Sequence, residues 1–339
     1  MKNSKIYLMS ALSGLLYVLA FPPMPFNFLA FIFIIPLLFA LEQKPSHWFR
    51  LTYLTFLIQH LGTLWWVGSW QEDSDPFLMI ASIVLCVFHP FFYFVPLSIY
   101  RYIRKRSGLT AALLALPFIW AAFEWGTSLS EWAFPWISVG YSQTAAYYWN
   151  QFADIGGLFS IGLVIMVVNA LVFKLITNYS EYRGPNFKNF ISMRENYLPT
   201  AAIALLFIVP TLYSLVRLSQ FDDVEIYKTN RKLNIAIIQP NINPWQTWSR
   251  DPYQNIADHQ RVQDSLRLHH HNIELSLWSE TSITYANLDM NSRPYDLNFL
   301  QRWADSSNLS ILRGFSEIYL YPDAQSAPVT ASPFRGDSS

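Results

Sequence analysis

The sequence is poor in charged residues and almost free of cysteine. Only 14% of its 339 residues are Asp, Glu, Lys or Arg, against about 25% in ordinary soluble domains. The formal net charge is zero, so there is no global electrostatic reason to expect nucleic-acid binding. Cys86 is the single cysteine, which excludes an intramolecular disulfide framework and a Cys-rich metal site. Hydrophobic residues, in contrast, make up 52% of the chain, which is typical of a membrane protein.

The few charges are unevenly distributed and divide the chain near residue 220. Residues 1–220 carry 13 Lys and Arg and 9 Asp and Glu, sparse and clustered. Residues 221–339 carry 10 Lys and Arg and 14 Asp and Glu, spread as in a soluble domain. We therefore predict a transmembrane domain over residues 1–220 and a water-soluble domain over residues 221–339.

The first domain contains seven stretches that are apolar enough to span a bilayer, which takes roughly 20 residues in a helix. They run approximately over Ile6–Ala20, Phe26–Leu41, Trp48–Gly68, Phe77–Ile103, Leu109–Gly126, Gly157–Thr177 and Tyr197–Leu218. The prediction is a polytopic α-helical membrane domain of about seven transmembrane helices.

Lys and Arg occur on only one of the two sets of connections between these stretches. Twelve of them flank the N-terminus and every second connection: Lys2, Lys5, Lys44, Arg50, Arg101, Arg104, Lys105, Arg106, Lys174, Arg183, Lys188 and Arg194. The alternate connections, Phe21–Pro25, Ser69–Pro76 and Thr127–Gly156, carry none. This asymmetry predicts a cytoplasmic N-terminus and places the chain after Leu218 on the outer side, which in a bacterium is the periplasm.

The third outward connection is rich in aromatic residues. It contains Glu131-Trp132-Ala133-Phe134-Pro135-Trp136, followed by Gly140-Tyr141-Ser142-Gln143. Trp and Tyr at this density suit the headgroup level of a bilayer, so the connection is either an aromatic belt or the wall of a lipid-facing entrance. Glu124, near the end of the fifth stretch, indicates either a polar partner or simple solvation at a helix end.

The remaining histidines and the cysteine do not predict a site. His60 and His89 fall inside predicted spans without another ligand type at metal spacing, and are interpreted as interior histidines. Cys86 lies in an apolar run at mid-membrane and is not interpreted as a nucleophile. The run His269-His270-His271 points its rings in different directions and is interpreted as a solvated helix end. We predict no metal site and no cofactor.

The second domain has the pattern of an α/β fold. Strands are predicted at Leu233–Ile238, Ile273–Trp278 and Leu309–Gly314, and helices at Pro252–His271 and Pro294–Ser307. This alternation predicts a mostly parallel sheet with functional groups just beyond the carboxyl ends of its strands. Glu280 lies there, two residues after Trp278, where a carboxylate can serve as a general acid or base.

Together these motifs resemble the bacterial apolipoprotein N-acyltransferases, membrane members of the nitrilase (carbon–nitrogen hydrolase) superfamily. The likeness extends to about Gly314. It is carried by Phe134-Pro135-Trp136, Gly140-Tyr141-Ser142-Gln143, Gln151…Ala153-Asp154…Gly157, Gln239-Pro240-Asn241-Ile242 with Trp248, and Leu277-Trp278-Ser279-Glu280-Thr281. At Ser279 the family more often has proline.

The resemblance implies a nitrilase-like αββα domain with a Glu-Lys-Cys triad on the periplasmic face of the bacterial inner membrane. The Cys thiolate would take an acyl chain from a phospholipid donor as a thioester and pass it to the N-terminal amine of a diacylglyceryl apolipoprotein. Glu280 matches the triad acid, which serves as general base. Trp248 matches a position near the lipid-binding cleft, with an interfacial or core aromatic residue as the alternative. Trp136, Tyr141 and Gln143 are the substrate-binding residues expected in the outward connection.

The end of the chain departs from the family pattern. The family's Lys and Cys should follow Gly314, but no Lys follows Lys232 and no Cys follows Cys86. We therefore expect a C-terminally truncated, incomplete nitrilase-like domain and a chain that does not catalyse acyl transfer as it stands. The alternatives are a non-catalytic lipid-binding membrane paralogue or fragment, and an amidase-type nitrilase tethered to the membrane.

Overall fold

Helices dominate the first 222 residues of the computed structural model, and a small parallel sheet follows them. The chain divides into two units, residues 1–225 and 226–339. The assignment of these parts to a transmembrane and a periplasmic domain stays a prediction. The structure describes residues 3–70, 76–130, 134–184, 186–222, 233–239, 241, 252–270, 272–279, 282, 285–286, 295–314, 316–317, 321 and 325–328.

The described part of the first unit contains eight α-helices joined by short 3₁₀ segments and loops. The helices are α1 (Asn3–Ala20), α2 (Ile35–Gln43), α3 (Trp48–Leu64), α4 (Pro76–Phe88), α5 (Phe94–Ser128), α6 (Ala153–Glu181), α7 (Phe187–Ser192) and α8 (Arg194–Asp222). Residue Gly108 inside α5 has φ 88° and ψ 176°, which only glycine adopts readily. Helix α5 therefore consists of two helical segments, as the separate stretches before and after residue 108 predict.

Fewer helices are long and apolar enough to cross a membrane, among the described residues, than the seven that the sequence predicts. Within the described ranges, three helical stretches are long and apolar enough to cross a membrane: Pro76–Ser128, Asn150–Glu181 and Arg194–Phe221. A fourth arises if Asn27–Gln43 and Pro45–Gly68, bent by 115°, count as one broken span. Seven spans are therefore not confirmed.

The second predicted stretch, Phe26–Leu41, is not one helix. Its first part is a 3₁₀ segment, Asn27–Phe31, and regular α-helix begins only at Ile35. Pro36 stands in the first turn of α2, where its missing N–H and fixed φ are tolerated. The apolar stretch is therefore divided between a 3₁₀ segment and α2, whose first turn contains Pro36.

The core of the first unit is formed mainly by α1, α2, α5 and α6. The side chains of Leu37, Leu38, Trp120, Ile165 and Met166 are fully buried in one continuous cluster. The most extensive helix pairs are α1 with α3 and α5 with α6. In a helical membrane unit, this close van der Waals packing is a principal source of cohesion between helices.

Several basic side chains gather where α1 begins and α2 ends. Lys44 Nζ donates to Asn3 Oδ1 at 3.0 Å, and Arg101 donates to a backbone carbonyl in the turn after α2. Arg104 forms a two-pronged ion pair with Glu42, with Nη2 2.8 Å from Oε2. One end of the first unit is therefore marked by basic groups, named here the basic end.

The second unit contains a three-stranded parallel sheet, which confirms the predicted parallel pairing. Its described elements are β1 (Ile235–Ile238), α9 (Pro252–His269), β2 (Leu275–Trp278), β3 (Tyr285–Ala286), α10 (Tyr295–Ser306), β4 (Ser310–Leu312) and β5 (Ser316–Glu317). The sheet order is β1-β2-β4, and β3 and β5 form a separate parallel pair. Because Ile238 is in register with Trp278, the carboxyl ends of β1 and β2 lie level at one edge. A nitrilase-like αββα architecture is not confirmed.

Candidate functional site

An open groove of about 470 Å³ lies at the end of the first unit opposite the basic end. We name it the aromatic groove. It is lined by Phe21, Pro22, Thr63, Leu64, Trp66, Trp136, Ile137, Tyr141 and Thr144. Helix α1 connects the two ends. Its Asn3 contacts Lys44 at the basic end, and its Tyr17 contacts Ile137 in the groove wall. These two positions are about 14 residues or ~21 Å apart along the helix.

Two of the predicted substrate-binding residues, Trp136 and Tyr141, meet in this groove. The indole of Trp136 stacks on that of Trp66, with ring centroids 5.5 Å apart and planes 10° from parallel. Despite the stacking, 57% of Trp136 and 48% of Trp66 remain exposed. Two large apolar faces thus stand open beside each other, which suits an apolar ligand more than a soluble polar one.

The groove wall is held by the buried carboxylate of Glu124. The backbone N–H of Val139 donates to Oε1 at 2.9 Å, and Trp120 Nε1–H donates to the same oxygen at 3.0 Å. Glu124 is only 5% exposed, so of the two alternatives for this residue the structure shows the polar partner. Glu124 and Trp120 are four residues apart on one face of α5, and together they fix the start of the 3₁₀ segment Val139–Gln143.

Further contacts attach the same wall to the rest of the unit. The Tyr17 hydroxyl donates to the Ile137 carbonyl at 2.5 Å. A Cβ on Gly140 would lie 2.5 Å from the Leu158 carbonyl oxygen, so the wall packs on α6 at a distance that only glycine permits. The wall is therefore tied to α1, α5 and α6 at once.

Gln143, the third residue predicted to bind substrate, is buried and does not line the groove. Its Nε2 donates to the Asn27 carbonyl at 2.9 Å and to Ser142 Oγ at 2.9 Å. The side chain thus joins the wall to the 3₁₀ segment Asn27–Phe31. A direct role in substrate binding stays a prediction.

A second polar cluster connects α6 to α8. The Tyr213 hydroxyl lies 2.9 Å from both carboxylate oxygens of Asp154, and Arg217 Nε donates to Asp154 Oδ2 at 2.8 Å. One turn earlier in this region, the Gln151 N–H donates to Ser214 Oγ at 3.1 Å. The motif Gln151…Asp154 therefore fixes the last turns of α8, from which the chain leaves the first unit.

In the second unit, a buried histidine of α9 lies beside the residue that follows β2. His259, 1% exposed, stacks on Trp278 at 4.9 Å between ring centroids. Its Nδ1–H donates to the Asn255 carbonyl at 2.7 Å, since a carbonyl can only accept, and its Nε2 lies 2.9 Å from Ser279 Oγ. Glu280 and Trp248, the predicted general base and cleft residue, lie outside the described residues. Ser279, directly before Glu280, is thus held by His259.

Burial lowers the pKa of His259 below its ordinary value near 6.5, although the bond to Asn255 acts in the opposite direction. A neutral ring with hydrogen on Nδ1 has Nε2 free to accept from the Ser279 hydroxyl. The strand end before Glu280 is therefore organised by a neutral imidazole.

Sequence reasoning missed Trp66, His259 and the partners of Asp154. His259 had a usable signal, because Asn255, His259 and Gln263 follow a four-residue spacing on α9 and are all buried. Trp66 and Arg217 had no such signal in the sequence, since Trp66 contacts Trp136 about 70 residues away and Arg217 contacts Asp154, 63 residues away. Among the described residues, no three His, Cys, Asp or Glu side chains gather as a metal site would require.

Comparison with known proteins bears on both units. The family profile of the apolipoprotein N-acyltransferase N-terminal domain matches residues 13–171. The apolipoprotein N-acyltransferase of Chlorobaculum tepidum is 26% identical over 336 residues, which cover 97% of this chain and 59% of that protein. That of Geobacter metallireducens is 28% identical over 246 residues, which cover 71% of this chain and 44% of that protein. The chain is therefore similar to apolipoprotein N-acyltransferases along most of its length, and residues 13–171 match the N-terminal domain of that family.

The chain spans about half the length of the curated relatives it matches. The profile match includes every residue that lines the aromatic groove. It also includes Glu124, Gln143 and Asp154, whereas α8 with Tyr213 and Arg217 follows it. The candidate site of the first unit therefore falls within the part of the chain that the family profile matches.

Replacing Glu124 with leucine is expected to loosen the wall of the aromatic groove. The Val139 N–H and Trp120 Nε1–H would both lose their acceptor while remaining buried, at a cost of about 1–3 kcal/mol for each donor left unpaired. The thermal midpoint in detergent should fall. In a Cys86→Ser, Thr144→Cys background, the introduced thiol should react faster with a maleimide.

Two variants serve as controls for this prediction. Glu124→Gln keeps an acceptor oxygen and should stay close to the parent protein. Glu181→Leu removes an exposed acid at the far end of α6. Equal maleimide rates in Glu124→Leu and Glu181→Leu would contradict the assigned role.

The strand end before Glu280 is expected to loosen as the pH falls. His259 has a lower pKa in the folded chain than in the unfolded chain, so its contribution to stability is full above pH 6.5 and is lost as the pH falls below that value. Amide hydrogen exchange in the segment 275–279, corrected for intrinsic rates, should therefore increase between pH 7.5 and pH 5.5. His259→Gln should remove this dependence and the exposed His269→Gln should keep it; retention in both would disprove the explanation.

Proposed function

We propose that this chain supplies the membrane unit and the general base of a lipoprotein N-acyltransferase. The observation that carries the proposal is the open aromatic groove, built from residues 21–144 inside the region that matches the family's N-terminal domain. The names of the relatives describe N-acylation of apolipoproteins. The substrates would be a phospholipid acyl donor and a diacylglyceryl apolipoprotein acceptor in the same bilayer.

The proposed reaction has two steps. A cysteine thiolate attacks the ester carbonyl of the phospholipid, the bond to the glycerol oxygen breaks, and a protonated lysophospholipid leaves a thioester behind. The neutral N-terminal amine of the apolipoprotein then attacks the thioester, giving an amide and regenerating the thiol. Glu280 is the proposed base: it takes the thiol proton and gives it to the leaving glycerol oxygen, and in the second step it takes the amine proton and returns it to the leaving thiolate. The 339 residues contain no Cys and no Lys after Gly314 that could supply the triad's thiol and ammonium. Both steps are therefore proposed for a protein that contains these residues together with that Cys and that Lys.

The groove has the size and surface for a lipid chain. Its volume of about 470 Å³ falls within the range of small-molecule sites, roughly 300–1,000 Å³. Trp66 and Trp136 expose stacked indole faces, and the Tyr141 ring is partly buried beside them. Aromatic rings with a polar edge favour the level of lipid headgroups. We infer that Trp136 and Tyr141 contact the acyl donor near its ester, whereas Gln143 acts by holding the wall.

The charges of the first unit support an orientation with the basic end in the cytoplasm. Lys44, Arg101 and Arg104 lie at the basic end, one helix length from the aromatic groove. Basic groups accumulate on the cytoplasmic side of membrane proteins. The aromatic groove and the exit of α8 would then face the periplasm of a bacterial inner membrane.

A non-catalytic lipid-binding paralogue is the second candidate. It is favoured by one observation, that the chain's single thiol is the buried Cys86. Such a protein would keep the aromatic groove and bind lipid without forming an acyl-enzyme. The two candidates differ in their effect on lipoproteins in the cell.

Loss of the gene is expected to leave lipoproteins with two acyl chains in place of three. Mass spectrometry of N-terminal lipopeptides measures this directly as the loss of the amide-linked chain. A gene that encodes these residues together with the triad's Lys and Cys should restore the third chain, and its Glu280→Gln version should not, because the amide cannot accept the proton.

The matched control for this experiment is Glu274→Gln in the same unit. Glu274 is exposed and accepts from the Asn234 N–H, so its replacement should still restore the third chain. Normal triacylated lipopeptides in the deletion strain, or full restoration by Glu280→Gln, would refute the proposal.

The proposed orientation predicts which introduced thiols are accessible from outside the cell membrane. In a Cys86→Ser background, Thr144→Cys beside the aromatic groove should react with a membrane-impermeant maleimide in intact spheroplasts. Lys105→Cys, exposed near the basic end, should react only after lysis. The reverse labelling pattern would contradict the proposed orientation.

A further inference from the structure

A second groove, separate from the aromatic groove, runs between α5, α6 and α8. Its volume is about 510 Å³, and it shares no lining residue with the aromatic groove. We name it the lateral groove. Helix α6 passes both sites, with Leu158 beside the groove wall at Gly140 and Lys174 in the lateral groove. These positions are about 16 residues or ~24 Å apart along the helix, so the two grooves lie at different depths.

The walls of the lateral groove are almost entirely apolar. Leu114 and Phe118 of α5 and Leu198 of α8 line it and are 66%, 65% and 60% exposed. Val167 and Ala170 of α6 form its floor with partly or fully buried side chains. Exposed surface of this kind, in a unit whose helices are apolar enough to span a membrane, is solvated by hydrocarbon rather than water.

One end of the lateral groove is charged. Thr110 at the start of the second segment of α5, Lys174 late in α6, and Arg194 and Glu195 at the start of α8 all line it. The apolar lining extends away from them, as far as Phe118 on α5 and Val167 on α6. From Lys174 to Val167 this is about seven residues or ~10 Å of helix. The groove is thus amphipathic along its length, with a net charge of +1 at one end.

The two cations are available to a ligand. Neither Lys174 nor Arg194 forms an ion pair with an acid in the described ranges. Elsewhere in the same unit, Arg104 is paired with Glu42 and Arg217 with Asp154. A basic group beside an apolar crevice between membrane helices is the arrangement that binds anionic lipid headgroups.

We propose that the lateral groove binds one anionic glycerophospholipid, with its phosphate at Lys174 and Arg194 and an acyl chain along the apolar lining. The positive charge at one end of the groove favours an anionic headgroup. The apolar lining that continues from this end favours a lipid over a free anion. The bound lipid bridges α6 and α8 and would stabilise their packing. This proposal does not rest on the proposed function, because no residue lines both grooves and the proposed phosphate site at Lys174 is ~24 Å along α6 from Leu158.

Native mass spectrometry of the purified full chain in detergent tests the proposal, with dioctanoyl phosphatidylglycerol and dioctanoyl phosphatidylcholine as probes. Phosphatidylglycerol should bind more tightly than phosphatidylcholine. The double variant Lys174→Gln, Arg194→Gln should bind phosphatidylglycerol about 30-fold more weakly, as two contacts typical of basic residues at an anionic surface would give. Arg183→Gln, Lys188→Gln is the matched control, because it removes two exposed basic residues that do not line the groove.

A variant that fills the groove keeps the test independent of the charges. Leu114→Trp adds volume at an exposed lining position and should reduce binding of phosphatidylglycerol while the thermal midpoint without lipid stays near that of the parent. Equal binding of the two lipids would overturn the proposal. An unchanged affinity for phosphatidylglycerol in both the charge variant and Leu114→Trp would also overturn it. This outcome is independent of the experiments on lipoprotein acylation.

Discussion

The candidate site depends on one buried carboxylate. Glu124 accepts hydrogen bonds from the Val139 backbone and the Trp120 indole, and so joins the end of a long helix to a segment 15 residues later in the chain. Burying a carboxylate is costly unless hydrogen bonds compensate it. The two hydrogen bonds to Oε1 offset part of this cost only when the wall of the aromatic groove occupies one position, whereas Oε2 is buried without a partner among the described residues. Trp136 and Tyr141 lie on this wall, where the stacking of Trp136 on Trp66 and the packing of Gly140 on α6 add to the contacts of Glu124.

The same physical constraint explains the other polar contacts of the first unit. Backbone groups in apolar surroundings must find partners within the protein. Short helical segments leave a larger share of these groups unpaired than long helices do, because the unpaired groups lie at the ends. Gln143 and Asn169 meet this need at the segment Asn27–Phe31, where their amide nitrogens donate to the carbonyls of Asn27 and Ala30. Irregular backbone around the groove is therefore held by buried amides, a hydroxyl and a carboxylate.

Sequence reasoning found the elements better than the contacts between them. The parallel sheet and the helices Pro252–His269 and Tyr295–Ser306 were predictable, because strand and helix periodicities are local signals. The helix expected at Phe26–Leu41 was wrong as a single element, since hydropathy ignores what Pro36 does to a backbone.

The site residues divide along the same line. Trp136 and Tyr141 were expected from the aromatic outward connection together with the family resemblance, and the structure brings them into one groove. Gln143 was identified from the same motif but is buried outside the groove lining, because sequence cannot distinguish a side chain that faces a cavity from one that supports its wall. Trp66 could not be found at all, since its importance comes only from stacking on a residue about 70 positions away.

The two ends of the first unit solve different physical problems with different side chains. At the basic end, Arg104 is neutralised by Glu42. At the charged end of the lateral groove, Lys174 and Arg194 form no ion pair with an acid among the described residues, which favours an anionic ligand. At the opposite end, the aromatic groove offers uncharged rings and a wall fixed by hydrogen bonds, which favours an apolar chain without attracting charge. The proposed transfer of a phospholipid chain gains from weak contacts at the aromatic groove, because the remainder of the lipid must leave after the reaction. The proposed ionic contacts with lipid lie instead at Lys174, about 24 Å along α6 from Leu158.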